Sequence, residues 1–398
     1  MPAVPYLIVG GGMAADAVAR GIRAVDPDRP IVLLGEEPDP PYDRPPLSKG
    51  LWLGKDEGEI WRRTAELPGV EVRTGVRAVA LDPRAREVRD DRGERWIYGA
   101  VALATGARPR TLPGTETVAD RVLAFRTWRD YRTLRAWVAE GRRLVLVGGG
   151  FIGSELAAAL AQNGAHVTLL VPEDGLCRRV LPADLGRFLA DVYRERGVDV
   201  RLGARARALE ATEDGLAVAL EGGARLTAEG AVLGLGVEPN VELARAAGLR
   251  VDGGVVVDET GRTDVPTVFA TGDVAAFPAA ALGQRLRVEH EDHANTHGTH
   301  VGRGMAGELA PYAHLPLFYS DLFEFGYEAV GRLDPERYGV VADWAEPFRK
   351  GVLYYLEGTR VRGVLLWNVW GQVDAARALI ADTGPWKPAD LRGRIPFD

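Results

Sequence analysis

The chain has 398 residues, 46% of them hydrophobic and 26% charged, with a formal net charge of −7 and a single cysteine. That length exceeds what one small core needs, and the composition excludes a disordered, fibrous or collagen-like chain. No run approaches the roughly 18 apolar residues of a membrane helix, and the acidic balance argues against nucleic acid, so neither partner is expected. Met1-Pro2-Ala3-Val4-Pro5 offers no basic segment, so no secretory signal is expected. Cys177 alone cannot close an internal disulfide, which makes a reducing cytoplasm the expected location.

Taken in chain order, Tyr6-Leu7-Ile8-Val9 reads as a short buried strand running into Gly10-Gly11-Gly12 and a helical pattern to about Val25. A second apolar run, Ile31-Val32-Leu33-Leu34, ends at Gly35-Glu36-Glu37. Short strands are predicted at 70–74, 86–88 and 96–98, followed by Val101-Ala102-Leu103-Ala104-Thr105-Gly106. The opening device then recurs: Leu144-Val145-Leu146-Val147, the turn Gly148-Gly149-Gly150-Phe151-Ile152-Gly153, a helix to about Gln162 and a strand over 166–171. Further strands are predicted at 198–202, 216–220 and 231–235, and Thr267 to Asp273 repeats the earlier Ala-Thr-Gly pattern. From about Leu317 the chain becomes rich in aromatics, and Val352 to Tyr355 and Val361 to Trp367 read as antiparallel strands. The expected architecture is α/β: two Rossmann-like dinucleotide-binding domains, the second inserted into the first, plus a C-terminal α/β cap. The expected boundaries are 1–112 and 241–315 for the first domain, 113–240 for the second and 316–398 for the cap.

Each glycine turn suits one task. A pyrophosphate needs free N–H groups and the positive end of a helix dipole, and glycines let the backbone come close enough. Gly10, Gly12 and Ala15 supply the pattern in the first unit; Gly148, Gly150 and Gly153 supply it in the second. Two copies in the same strand–turn–helix–strand frame point to two bound dinucleotides. Glu36, with Glu37 beside it, stands about 20 residues past the first turn, where an acid accepts ribose hydroxyls. In the second unit Glu173 comes two residues after the strand and favours NADH, while Arg178 and Arg179 offer a place for a 2′-phosphate, so NADPH stays open.

These residues resemble the FAD- and NAD(P)-dependent pyridine nucleotide oxidoreductases of the glutathione-reductase structural type. Within that group, Pro41-Tyr42-Asp43-Arg44-Pro45-Pro46-Leu47-Ser48-Lys49, Ala104 to Arg110 and Phe269 to Asp273 resemble the oxygenase-coupled ferredoxin reductases and apoptosis-inducing factor. Val288 to Ala294 and Phe318 to Leu322 lean to the apoptosis-inducing-factor branch, and Lys350-Gly351-Val352 and Leu366-Trp367-Asn368 extend the similarity into the cap. The disulfide reductases of the group carry a cysteine pair in the FAD domain; with one cysteine here, a dithiol mechanism is excluded. Cys177 itself is expected to be a buried small residue.

The resemblance implies FAD as resident cofactor and NADH as reductant. It places Arg44 and Arg110 on the FAD, Asp273 on its ribityl chain, and Lys49 near flavin N5 and O4, paired with Glu155; these last two are the candidate catalytic residues. Val79, His290, Glu291 and Tyr319 complete the FAD set, with Tyr319 standing where apoptosis-inducing factor has a tryptophan. Phe151 would stack over the flavin until nicotinamide displaces it, and Gly149, Gly150, Ile152, Glu173, Arg179, Gly236, Glu328 and Asn368 complete the NAD set. His290, His293, His297 and His300 fall at helical spacing and could be read as a metal stripe, but the family pattern accounts for His290 as a flavin-facing residue opening a helix, and no metal is expected. The implied activity is that of an NAD(P)H-dependent flavoprotein reductase passing electrons to a one-electron carrier such as ferredoxin or rubredoxin. An NADH oxidase or quinone reductase, and an NADH-responsive redox sensor like apoptosis-inducing factor, stay as alternatives, and a homodimer stays open.

Overall fold

In a computed structural model of the chain, residues 3–397 are described. They form two compact units: residues 3–44, 56–108 and 238–316 in the first, and residues 45–55, 109–237 and 317–397 in the second.

The first unit is built on a seven-stranded sheet. Its parallel half runs Val70–Arg73, Ile31–Leu34, Ala3–Val9, Arg95–Leu103 and Val268–Ala270. The last of these strands arrives from more than 160 residues downstream, with Val268 opposite Val101 and Ala270 opposite Leu103. Val88 and its neighbours in Glu87–Asp90, then Ala78–Asp82, extend the sheet antiparallel. The two runs predicted around Trp96 and Val101 are one nine-residue strand, Arg95–Leu103. Gly99 does not interrupt it, because a Cβ there would stand 2.7 Å from the Pro5 carbonyl oxygen of the adjoining strand. Glycine is the residue that lets the pair close.

Two helices cover this sheet, Met13–Arg23 and Glu291–Met305. Met13–Arg23 is alanine-rich and amphipathic, with Asp16 in its first turn and Arg20 and Arg23 in its last, matching the helix dipole. Asp16 is buried, and its carboxylate accepts from Arg20 Nε at 2.9 Å, an Arg62 guanidinium nitrogen at 3.1 Å and Thr64 Oγ1 at 2.8 Å. The two helices meet through glycine. A Cβ on Gly302 would collide with the Val18 carbonyl, one on Gly21 with the Thr299 carbonyl, and one on Gly298 would lie 2.7 Å from Ala17 Cβ.

The second unit holds a five-stranded parallel sheet in the order Asp199–Leu202, Val167–Val171, Leu144–Val147, Gly230–Leu233, Val122–Leu123. The helix Phe151–Gln162 follows the central strand, and Trp128–Ala139 opens with a Thr127–Asp130 capping box. A three-stranded antiparallel sheet spans Ala206–Ala211, Leu216–Leu220 and Arg225–Ala228. The aromatic C-terminal stretch forms five antiparallel strands, in the order Leu317–Leu322, Phe325–Gly331, Arg360–Trp367, Lys350–Glu357, Gly339–Glu346, with Val373–Ala381 packed on it. The architecture is therefore α/β with two parallel dinucleotide-type sheets and a C-terminal sheet domain, as expected. Among the described residues no helix is long and apolar enough to cross a membrane.

Candidate functional site

In the first unit, Gly10 has φ +133°, and a Cβ there would collide with the Ala104 carbonyl. Gly12 caps the helix with extended backbone and no side-chain acceptor, so the opening amides of Met13–Arg23 carry no competing cap. Ala15 is fully buried in the core behind the turn. Gly272, at φ +69°, brings the Asp273 turn against this helix: a Cβ on it would stand 2.8 Å from Ala14 Cβ. Asp273 is half-buried, its carbonyl accepting from Arg287 at 3.2 Å. Beyond the second strand Glu36 is exposed, while Glu37 is engaged: its carboxylate accepts from Tyr42 Oη at 2.6 Å and pairs with Arg44. The Arg44 guanidinium also lies over the Tyr42 ring, 5.1 Å from its centroid. Val79, on an outer strand, is exposed.

His290 is the N-cap of Glu291–Met305, and loss of hydration pushes its imidazole down to about 4. The rest of the histidine stripe turns inward. His293 and His297 are fully buried, stacked on one another at 4.6 Å, and His293 stacks on Phe277 at 4.3 Å. His297 Nδ1 lies 3.2 Å from Thr271 Oγ1, and Tyr312 packs against both rings. Among the described residues, no three His, Cys, Asp or Glu side chains converge on a metal-holding arrangement.

In the second unit, Gly148 has φ +110°, and a Cβ on Gly153 would collide with the Gly148 carbonyl, so helix and strand can approach only as glycines allow. Gly149 is tight against Val171, while a Cβ on Gly150 would enter open space at the uncapped start of Phe151–Gln162. Phe151 and Ile152, the first two residues of that helix, are exposed at 37% and 38%, large apolar side chains left uncovered at the turn. Glu173 and Arg179 are exposed. Arg178 is not available to a phosphate. Its Nε donates to Asp174 at 2.8 Å and its NH1 to the Leu181 carbonyl at 2.6 Å, while Arg187 holds the other Asp174 oxygen at 2.7 Å. Gly236, at φ +81°, offers its carbonyl to the Arg110 amide at 3.0 Å.

Lys49 and Glu155 come together here, Nζ to Oε1 at 2.8 Å, with Glu155 buried and Lys49 nearly so. The ammonium lies 4.7 Å from the centroid of the Tyr319 ring. Glu328 stands opposite Tyr319 in the sheet and accepts from the Gly371 amide at 3.3 Å. Asn368, at φ +50°, directs its amide to main chain: Oδ1 accepts from Gly326 at 2.8 Å and Nδ2 donates to the Arg349 carbonyl at 2.9 Å. Cys177 is buried, and burial pushes its thiol up to about 12, so it carries no thiolate at neutral pH.

Residues 4–298 match the family described as pyridine nucleotide-disulphide oxidoreductase. The chain is 37% identical, over 96% of its length and 95% of the relative's, to the ferredoxin–NAD(+) reductase component of the anthranilate 1,2-dioxygenase system of Burkholderia cepacia. The chain belongs to this family. Residues 336–382 match the C-terminal module described for apoptosis-inducing factor. Among other family members, putidaredoxin reductase of Pseudomonas putida is 33% identical over 96% of this chain and 93% of its own. The reductase in a solved covalent putidaredoxin reductase–putidaredoxin complex superposes with a TM-score of 0.89 at 32% identity, covering 97% of this chain and 95% of that one.

As a member of the family the chain is a flavoprotein reductase that uses FAD and NADH. Its residues fit both groups. Gly10 packs too closely on the Ala104 carbonyl for any side chain, Gly12 stays open, and the uncapped amides of Met13–Arg23 suit a pyrophosphate. Gly150 and the uncovered Phe151 and Ile152 suit a transient dinucleotide, and the Asp174 hold on Arg178 and Arg187 suits one without a 2′-phosphate. Sequence reasoning passed over three residues: Asp174, and Ser48 and Ser320, whose hydroxyls both reach Glu155. Their signal was adjacency alone, since Ser48 precedes Lys49 and Ser320 follows Tyr319 in the quoted motifs.

Proposed function

We propose that this chain takes hydride from NADH onto FAD and passes the electrons singly to a ferredoxin- or rubredoxin-type carrier, with no redox-active disulfide. The observation that carries the reading is the pair of open glycine cradles in a chain whose one cysteine is a buried, protonated thiol. Electrons that cannot rest on a dithiol must leave from the flavin. The relatives named for ferredoxin and putidaredoxin support an iron–sulfur acceptor. FAD supplies the hydride-accepting and one-electron chemistry when bound; the protein supplies position and electrostatics. The FAD set would be Gly10, Gly12, Ala15, Glu36, Glu37, Arg44, Lys49, Val79, Arg110, Asp273, His290 and Glu291, from residues 1–112 and 241–315, together with Tyr319. Residues 113–240 would bind NADH through Gly149, Gly150, Phe151, Ile152, Glu173, Arg179 and Gly236, with Glu328 and Asn368 from the C-terminal domain, 316–398. Lys49, held by Glu155, presents a fixed positive charge that favours the negative charge of a reduced ring. A single buried cysteine suits the cytoplasm.

The test is anaerobic reduction with NADH, then mixing with ferredoxins, rubredoxins, a quinone and oxygen. Reoxidation faster with an iron–sulfur protein than with quinone or oxygen is expected. The apoptosis-inducing-factor-type C-terminal module favours a second reading, a slow NADH-responsive sensor. Slow reoxidation by every acceptor, with a long-lived charge-transfer band, would replace the first reading by the second.

A further inference from the structure

We propose that Ser48 and Ser320 are positioning residues for hydride transfer: together they clamp the Glu155 carboxylate and through it hold the Lys49 ammonium in one place. The proposal rests on the reductase reading above and adds to it the parts that make its central ion pair rigid.

Glu155 is 3% exposed, on the helix Phe151–Gln162. Three donors from two other elements meet its two oxygens. Lys49 Nζ, at 2.8 Å, and Ser320 Oγ, at 2.6 Å, share Oε1, while Ser48 Oγ donates to Oε2 at 2.7 Å. Ser48 ends the short turn Pro45–Ser48, just before Lys49, and Ser320 lies in the strand Leu317–Leu322 beside Tyr319. A lysine ammonium has donors only, and each serine here uses its one hydrogen toward the carboxylate, so the arrangement is satisfied by the anion and by nothing else. An ion pair with one contact can swing about it; one whose carboxylate is held at both oxygens from a turn and a strand cannot. The Tyr319 ring, its centroid 4.7 Å from the ammonium, adds a cation–π contact.

Burial argues that the serines are part of the device. Ser320 is fully buried and Ser48 is 3% exposed. A buried hydroxyl without a partner is costly, so alanine would be the better residue at both places if the carboxylate did not need them. The competing acceptor for Ser48, the Pro45 carbonyl, is farther away at 3.4 Å. The other titratable groups that feel Glu155 leave its charge to Lys49: burial raises Cys177, Tyr193 and Tyr327, keeping all three neutral. Asp321, from the same strand as Ser320, is raised by burial and by Glu155 and lowered by Lys49.

The experiment compares FAD-loaded wild type with Ser48→Ala, Ser320→Ala and Ser320→Thr in anaerobic stopped flow, alongside the oxidised flavin spectrum. NADH dissociation constants are expected to stay unchanged. Hydride transfer is expected to slow roughly tenfold in each alanine variant, the rate equivalent of one charge-assisted hydrogen bond. An ammonium no longer held in one place should also change the flavin spectrum of the alanine variants, and Ser320→Thr, which keeps the hydroxyl, should restore rate and spectrum. Wild-type rates and spectra in folded alanine variants would overturn the clamp, as would a rate loss that threonine does not rescue. If Ser320→Ala does not retain FAD, Ser48→Ala decides, since it acts on the other oxygen. Failure of NADH to reduce the wild-type flavin would count against the reductase reading instead.

Discussion

Glu155 and Lys49 pair a buried carboxylate with a nearly buried ammonium at 2.8 Å. Removing one charge strands the other. Glu155→Gln is expected to destabilise the folded protein by about 3 kcal/mol, read by denaturant unfolding, because the Lys49 charge would remain in a site built to neutralise it. A second acid, Asp174, pairs with two arginines beside the second glycine turn. Asp174 keeps Arg178 and Arg187 occupied, so Glu173→Ala combined with Asp174→Asn would free two guanidiniums and remove the repelling acid. The ratio of kcat/KM for NADPH over NADH is expected to rise at least about tenfold, the worth of one charged hydrogen bond; an unchanged ratio would contradict the assignment. At this scale Lys49 and Glu155 were legible through motifs, whereas Ser48 and Ser320 were not. Their hydroxyls reach a residue 107 and 165 positions away, and a contact at that separation leaves no local pattern.

Elements were legible where one physical demand repeats at short range. Each glycine turn had to sit between a strand and a helix, and Gly10 and Gly148 do so with positive φ. Glycines with long-range reasons were opaque. Gly302 lies inside a helix, where glycine is less favourable than alanine by about 1 kcal/mol. Its reason is the Val18 carbonyl of the helix Met13–Arg23, which a Cβ would strike. Gly302→Ala is therefore expected to lower stability by roughly 1–3 kcal/mol, against the gain helix propensity alone would predict, and a thermal melt distinguishes the two signs. Gly99 has the same explanation on the sheet: what reads as a break between two strands is the one residue that fits against Pro5.

Stability of the whole molecule should carry the mark of its buried histidines. Burial lowers His290 to about 4 and His297 to about 3, lowers His293 well below its ordinary range and lowers His300 as well. Each is neutral in the folded state and free to protonate near 6.5 when unfolded, so the unfolded chain binds more protons and stability rises with pH. Below about pH 6.5 each histidine is expected to remove up to roughly 1.4 kcal/mol per pH unit, for His290 and His297 until about 4 and about 3 are passed. Denaturant midpoints at pH 5 and pH 8 measure this; a higher midpoint at pH 5 would contradict it. The helical spacing of these residues was plain in the sequence, but spacing alone suits a metal stripe as well as a packed one. Phe277 and Tyr312, which close around the rings, come from outside the helix.

Composition and short-range pattern by themselves determined the α/β class, the two nucleotide cradles and the exclusion of dithiol chemistry, because each depends on neighbours within a strand, a turn or a helix, or on a count. Tertiary structure alone decided which hydroxyls hold Glu155, which acid silences Arg178 and why glycine stands at 99 and 302. Those outcomes depend on atoms brought together from distant parts of the chain, where a few tenths of an ångström separate a contact from a clash.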